Sequence, residues 1–163
     1  MDFVFEPLAE KHREAVVDIF NFYVRNSSAA YREEAVEYPF YDNLIAPDVV
    51  AGYAVLGSQG RVLGFGVLER YKPISTFSTL GDCMYFFSPE ATGQGLGAQL
   101  LARLEEDARR HGMNRMLVDI SDENVQSLAF HLAHGFVEYG RLARCWKKFG
   151  RELGVVYLAK ALI

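Results

Sequence analysis

The run Ser88-Pro89-Glu90-Ala91-Thr92-Gly93-Gln94-Gly95-Leu96-Gly97-Ala98 constrains this chain more than any other segment. Three glycines at alternate positions lie between an aromatic, strand-like stretch and a long amphipathic pattern. Glycine lets the backbone approach an anion closely. The unpaired N–H groups of the first helical turn, with the helix dipole behind them, then face that anion. The segment predicts a strand–loop–helix unit that holds a phosphate.

Composition narrows the partners. The 163 residues suffice for a substantial core and are read as a single domain over 1–163, half apolar and therefore globular. A net charge of −4 speaks against nucleic acid, which needs a basic surface. Cys83 and Cys145 fit neither a disulfide framework nor a zinc spacing. Asp2, Glu6 and Glu10 interrupt any apolar leader, and no stretch reaches the length of a membrane span. The expectation is a cytoplasmic protein with no metal, nucleic-acid or membrane partner.

Along the chain, Phe3-Val4-Phe5 reads as a first strand and His12 to Val24 as a helix, with Ala15, Val16, Ile19, Phe20 and Tyr23 at helical spacing. Pro39 and Pro47 break up a Tyr- and Glu-rich loop. Val50 to Leu56 and Val62 to Leu68 flank a Gly57-Ser58-Gln59-Gly60 turn and predict a hairpin. Asp82 to Phe87 is a strand that enters the glycine loop. The helix after it carries Leu96, Leu100, Leu101, Leu104 and Ala108 on one face and stops at Gly112. Met116 to Ile120 is a strand, and a helix capped by Asn124 or Asp122 runs to Gly135. Strands follow from Phe136 onward and near Gly154 to Ala159. The order predicts an α/β fold with a mixed sheet, a βαβ core flanked by antiparallel pieces.

The helix after Asn124 divides into two faces. Val125, Leu128, Ala129 and Leu132 form an apolar stripe expected to face the core. Asn124, Ser127, His131 and His134 share another face. That second face reads either as a solvated surface or as a row of hydrogen-bonding groups along an extended ligand. Metal binding by His131 and His134 lacks a carboxylate or thiolate partner.

The glycine loop with this helix resembles the GNAT superfamily of N-acetyltransferases. One motif is Pro89-x-x-Thr92-Gly93-Gln94-Gly95-Leu96-Gly97. The other is Asn124-x-x-Ser127-x-x-Phe130-His131-x-x-x-Gly135-Phe136. The stretches Ile19 to Val24, Asn26 to Tyr31, Gly64-Phe65-Gly66, Lys72-Pro73, Phe77, Lys148 to Arg151 and Val155 to Leu158 resemble the phosphinothricin acetyltransferase-like branch. The resemblance implies a mostly antiparallel sheet of about seven strands with helices on both faces around a central βαβ unit. It further implies acetyl-CoA as co-substrate and a small amino-acid-like amine as acceptor, of the phosphinothricin or methionine sulfoximine type, in a homodimer. Thr92, Gly93, Gln94, Gly95, Leu96, Gly97 and Ala98 would wrap the pyrophosphate. Asn124 and Ser127, with the backbone of Phe86 and Phe87, would line the pantetheine arm.

Acetyl transfer from a thioester needs a deprotonated amine, a polarised carbonyl and a stabilised thiolate. On the resemblance, Asp82 is the base, directly or through water, and the amine attacks the thioester directly. His131 stands at the family's tyrosine position and is the candidate acid or donor near the sulfur. Tyr31, Glu34, Lys72 and Phe77 are the candidate acceptor contacts, with Arg70 beside Lys72. The chain departs from the family at Thr92, where Arg or Gln is usual, and at Asp82, where the branch often has Glu. These departures keep a non-catalytic acetyl-CoA sensor open as an alternative, beside transfer to an aminoglycoside, a polyamine or a protein N-terminus. A Rossmann-like nucleotide site, with Asp119 as ribose acid, conflicts with the five residues between strand and glycines and with the lack of repeated βα units.

Overall fold

In the computed structural model, which describes residues 2–163, the chain runs through ten regular elements. These are β1 (Val4–Pro7), α1 (Arg13–Asn26), β2 (Val49–Leu56), β3 (Val62–Arg70), β4 (Leu80–Phe87), α2 (Leu96–Arg110), β5 (Arg115–Ser121), α3 (Val125–Ala133), β6 (Val137–Lys148) and β7 (Arg151–Ala161). The strands form one seven-stranded sheet in the order β1-β2-β3-β4-β5-β7-β6. Every neighbouring pair is antiparallel except β4 and β5. The mixed α/β fold expected from the sequence is therefore the one observed.

Two apolar cores sandwich the sheet. On one face α1 lays Val16, Val17, Phe20 and Val24 against Phe65, Val67, Met84 and Phe86. On the other, α2 lays Leu96, Leu100, Leu101, Leu104 and Ala108 against Leu68, Cys83, Met116 and Val118. The alternation of side chains along β4 assigns Asp82, Met84 and Phe86 to the α1 face and Cys83, Tyr85 and Phe87 to the α2 face. Gly64 and Gly66 of β3 make room there. An added Cβ would meet the Phe87 ring at 2.4 Å and Leu100 Cδ2 at 2.8 Å respectively.

One expectation needs correction. Of the stripe expected to face the core, Leu128 packs against it, while Val125, Ala129 and Leu132 face solvent, with Val125 71% and Leu132 55% exposed, and His131 is buried. Both faces of α3 have residues at helical spacing, and spacing alone does not say which points inward. The apolar C-terminal run from Val155 is a central strand, hydrogen-bonded on both sides by β5 and β6.

Candidate functional site

β4 and β5 share a ladder only at Leu80–Arg115, Gly81–Met116 and Asp82–Leu117. Beyond that point β4 continues to Phe87 and β5 to Ser121 with no pairing between them, so the strands open into a slot whose fork is Asp82. The backbone of β4 shows what lines it. Tyr71 N–H donates to Leu80 C=O at 3.1 Å and Ser88 N–H to Leu63 C=O at 2.8 Å. The register between them is unbroken, so Asp82, Met84 and Phe86 direct their N–H and C=O groups at β3, and Cys83, Tyr85 and Phe87 direct theirs at the slot. This corrects the expectation for Phe86, whose backbone is spent in the β3 ladder and whose ring packs on Phe20 and Tyr23. Cys83 N–H closes the last rung of the β4–β5 ladder, opposite Leu117, and Phe87 C=O accepts from the Tyr23 hydroxyl at 2.5 Å. The free donors along β4 are thus Tyr85 and Phe87 N–H.

The glycine loop enters at the top of the slot. Gly93 and Gly95 have φ of +73° and +79°, with nothing within 4 Å of an added Cβ, so handedness rather than space requires glycine at both. Gly95 is the N-cap of α2 and no side chain caps the helix, which leaves the N–H groups of Leu96, Gly97 and Ala98 open to an anion. Thr92 Oγ1 donates to Pro89 C=O at 2.8 Å and Gln94 Nε2 to Glu90 C=O at 2.9 Å, so both side chains brace the loop. At its root, Ser88 Oγ is the one buried side-chain polar atom without a hydrogen-bond partner among the described residues. The α3 motif abuts this loop, since an added Cβ at Gly97 would touch Phe130 at 3.6 Å. Asn124 caps α3 by accepting from Ser127 N–H at 3.2 Å, as its place in the sequence predicts.

On the α1 face, Asp82 sits opposite Glu69 of β3 and two residues along from Asp119 of β5. None of these three carboxylates is in a salt bridge among the described residues. Burial, and then the charges of Asp119 and Glu69, push the Asp82 carboxyl up to about 7. That value suits a general base near neutral pH.

Tyr31 forms the wall over this trio. Its hydroxyl donates to Asp119 Oδ2 at 2.5 Å and its ring meets the edge of Trp146 at 4.9 Å. A break in the β6–β7 register between Leu142 and Trp146, with Arg144 at φ +52°, turns Trp146 to that contact. Buried Lys148 then fastens the loop below Tyr31, donating to Ser27 C=O at 2.7 Å and Ala30 C=O at 2.6 Å. Lys148→Met orphans both carbonyls and is expected to cost about 2 kcal/mol of stability, read as a lower melting temperature. The emission of Trp146, the single tryptophan, should shift with it.

Tyr139 packs on Tyr157 at 5.9 Å, and burial, followed by the charges of Tyr71, Asp119, Tyr157 and Asp82, raises its phenol. Lys72 is exposed and lies over the Phe77 ring at 5.0 Å and the Tyr71 ring at 5.7 Å. Glu34 is also exposed, and it is Glu33 that reaches across, accepting from Phe149 N–H at 2.9 Å. Arg70 lines a separate hollow with Pro47, Asp48 and Pro73.

His131 departs from its expected role. It is 3% exposed, its Nδ1 lies 2.7 Å from Ser127 C=O, and its Nε2 is bonded to the Tyr85 hydroxyl. The carbonyl requires a proton on Nδ1, so Nε2 accepts from Tyr85. Neither nitrogen has a proton to offer a sulfur atom, and burial pushes the imidazole below its ordinary value, favouring the neutral ring. Sequence reasoning missed Glu69 as a site residue and gave Asp119 only as the acid of a rejected nucleotide site. Register relative to Asp82 was the available signal for both.

Comparison with known proteins agrees with this geometry. Residues 16–136 match the model of the acetyltransferase (GNAT) family. The L-amino acid N-acyltransferase MnaT of Escherichia coli is 31% identical over 149 residues, covering 88% of this chain and 85% of that protein. The phosphinothricin N-acetyltransferase of Alcaligenes faecalis is 31% identical over 152 residues, covering 91% and 77%. A Sinorhizobium meliloti phosphinothricin acetyltransferase solved with acetyl-CoA superposes with a TM-score of 0.90 at 22% identity, over 99% of this chain and 89% of that one.

Proposed function

The chain belongs to the GNAT acetyltransferase family and is an acetyl-CoA-dependent N-acetyltransferase, and we propose that its acceptor is the α-amino group of a small amino-acid-like molecule. The observation that carries this reading is Asp82, an unpaired carboxyl pushed up to about 7 at the fork of the β4–β5 slot. The named activities of the relatives, L-amino acid N-acylation and phosphinothricin N-acetylation, support the acceptor class.

The residues present fit acetyl-CoA. The open N–H groups of Leu96, Gly97 and Ala98 suit its pyrophosphate, and Tyr85 and Phe87 N–H suit amide or thioester carbonyls. Asn124 and Ser127, at the start of α3, would line its pantetheine arm. Asp82 takes the ammonium proton, directly or through a water. The amine nitrogen then attacks the thioester carbon, the C–S bond breaks, and the second nitrogen proton passes through solvent to the departing thiolate, which leaves as the thiol. Lys72 suits the acceptor's carboxylate or phosphinate, with Tyr31, Glu34 and Phe77 as walls. Cys83 is no competing nucleophile, because burial holds its thiol well above the ordinary range.

Thr92→Arg would add a cation beside the phosphates. It is expected to tighten acetyl-CoA binding about tenfold, the size of one charge-assisted bond, by calorimetry.

The molecule acts as one domain, in the cytoplasm, where its two free cysteines stay reduced. It pairs as a homodimer along the edge strand β6, where Val137, Tyr139 and Leu142 are exposed. Thiol release from acetyl-CoA with phosphinothricin, methionine sulfoximine, methionine sulfone, free amino acids, polyamines and aminoglycosides tests the acceptor class. Turnover confined to the amino-acid analogues supports it, and turnover confined to polyamines or aminoglycosides overturns it.

A further inference from the structure

Tyr85 and His131 make a second polar pair, on the opposite face of the sheet from Asp82. Tyr85 stands on β4 and His131 on α3, the helix that follows β5. Their hydrogen bond therefore joins β4 to the element beyond β5, over the part of the sheet where those strands share no ladder. The rings lie nearly parallel, 5.6 Å apart at 18°, and Phe136 meets His131 edge-on at 5.0 Å. Along β4, the backbone N–H of the same Tyr85 is one of the two free donors facing the slot.

The protons of this pair are all assigned. Nδ1–H donates to Ser127 C=O, Nε2 accepts, and the Tyr85 hydroxyl donates. A phenol that gives its proton to histidine has none for a departing thiolate. A neutral imidazole with a bare Nε2 cannot replace it. We propose that Tyr85 and His131 are a positioning pair: their bond sets the width of the slot and fixes the direction of the Tyr85 N–H, and proton transfer is left to Asp82. This inference rests on reading the slot as the place of acetyl transfer.

The test uses Tyr85→Phe, His131→Leu and His131→Gln in the full chain, with acetyl-CoA and methionine sulfoximine. Tyr85→Phe and His131→Leu should each lower kcat by about tenfold, the scale of a small misplacement of a reacting group, with the acceptor KM unchanged. The double variant should be no worse than either, because both break one bond. His131→Gln, whose side-chain oxygen can accept from Tyr85, should recover most of the loss. The acid limb of the pH profile should stay in place in every variant. A shifted limb in His131→Gln, or full activity in Tyr85→Phe beside a large loss in His131→Gln, assigns the proton to His131 and overturns the proposal. Tyr85→Phe is close in shape to the native residue and keeps the test open if His131→Leu fails to fold.

Calorimetric acetyl-CoA affinity reads the pair without an acceptor. Equal weakening in Tyr85→Phe and His131→Leu supports it, and unchanged affinity together with unchanged kcat removes it. A chain that binds acetyl-CoA and acetylates nothing counts against the functional reading alone.

Discussion

Asp82→Asn is expected to lower kcat/KM by about a hundredfold or more at neutral pH, the usual contribution of a general base. The melting-temperature rise given by acetyl-CoA should survive unchanged. Asparagine keeps the size of the side chain and can fill its place beside Cys83 N–H, so the loss isolates the proton acceptor. The cofactor loop is untouched, since its donors are backbone groups at Gly95 to Ala98. Activity within about threefold of wild type would mean that the amine loses its proton elsewhere, and Asp119, the other carboxylate beside the slot, would be the next to test.

The second large effect is on pH. With Asp82 pushed up to about 7, kcat/KM should fall about tenfold per unit below that value, on top of the acceptor's own ionisation. Asp119→Asn removes one of the charges that raise Asp82 and should move this limb to lower pH. Stability carries the same signature with a definite sign. The folded-state pKa lies above the ordinary aspartate value near 4, so between about 4 and about 7 the folded protein holds a proton that the unfolded chain has released. Stability from this group is complete below about 4, falls as pH rises to about 7, and is constant above. Asparagine carries no charge at any pH. Asp82→Asn should therefore melt higher than wild type at pH 8 and match it at pH 4, while losing activity. Equal melting temperatures at both pH values would show that the carboxylate is not held against burial.

The parts of the site legible in the sequence are those whose physics is local. Gly93 and Gly95 declare a left-handed backbone, Asn124 declares a cap three residues before Ser127, and the leucines of α2 declare the buried face of a helix. Asp82 was legible through resemblance, because a carboxylate near a strand end has many ordinary explanations. The rest depends on pairings across the sheet. Tyr31 meets Asp119 across 88 residues and Tyr85 meets His131 across 46, and no periodicity links such partners. The face of α3 was misjudged for a related reason. His131 goes inward because Tyr85 offers a buried partner, and a buried polar group with a partner can displace an apolar stripe from the core. The backbone direction that excludes Phe86 and admits Tyr85 follows from strand parity, which fixes itself only once β3 and β4 are in register.

Direct transfer of an acetyl group to a small α-amine at the fork beside Asp82 leaves a product that can be weighed. The most direct measurement is the product: the protein with acetyl-CoA and methionine sulfoximine, resolved by mass spectrometry into acetylated acceptor and intact protein, at pH 8 and pH 5.5. Acetyl is expected on the α-nitrogen of the acceptor, with an unmodified chain at both pH values and a much lower yield at pH 5.5. An acetylated protein, or an unmodified acceptor in a sample where acetyl-CoA is shown to bind, would contradict direct transfer.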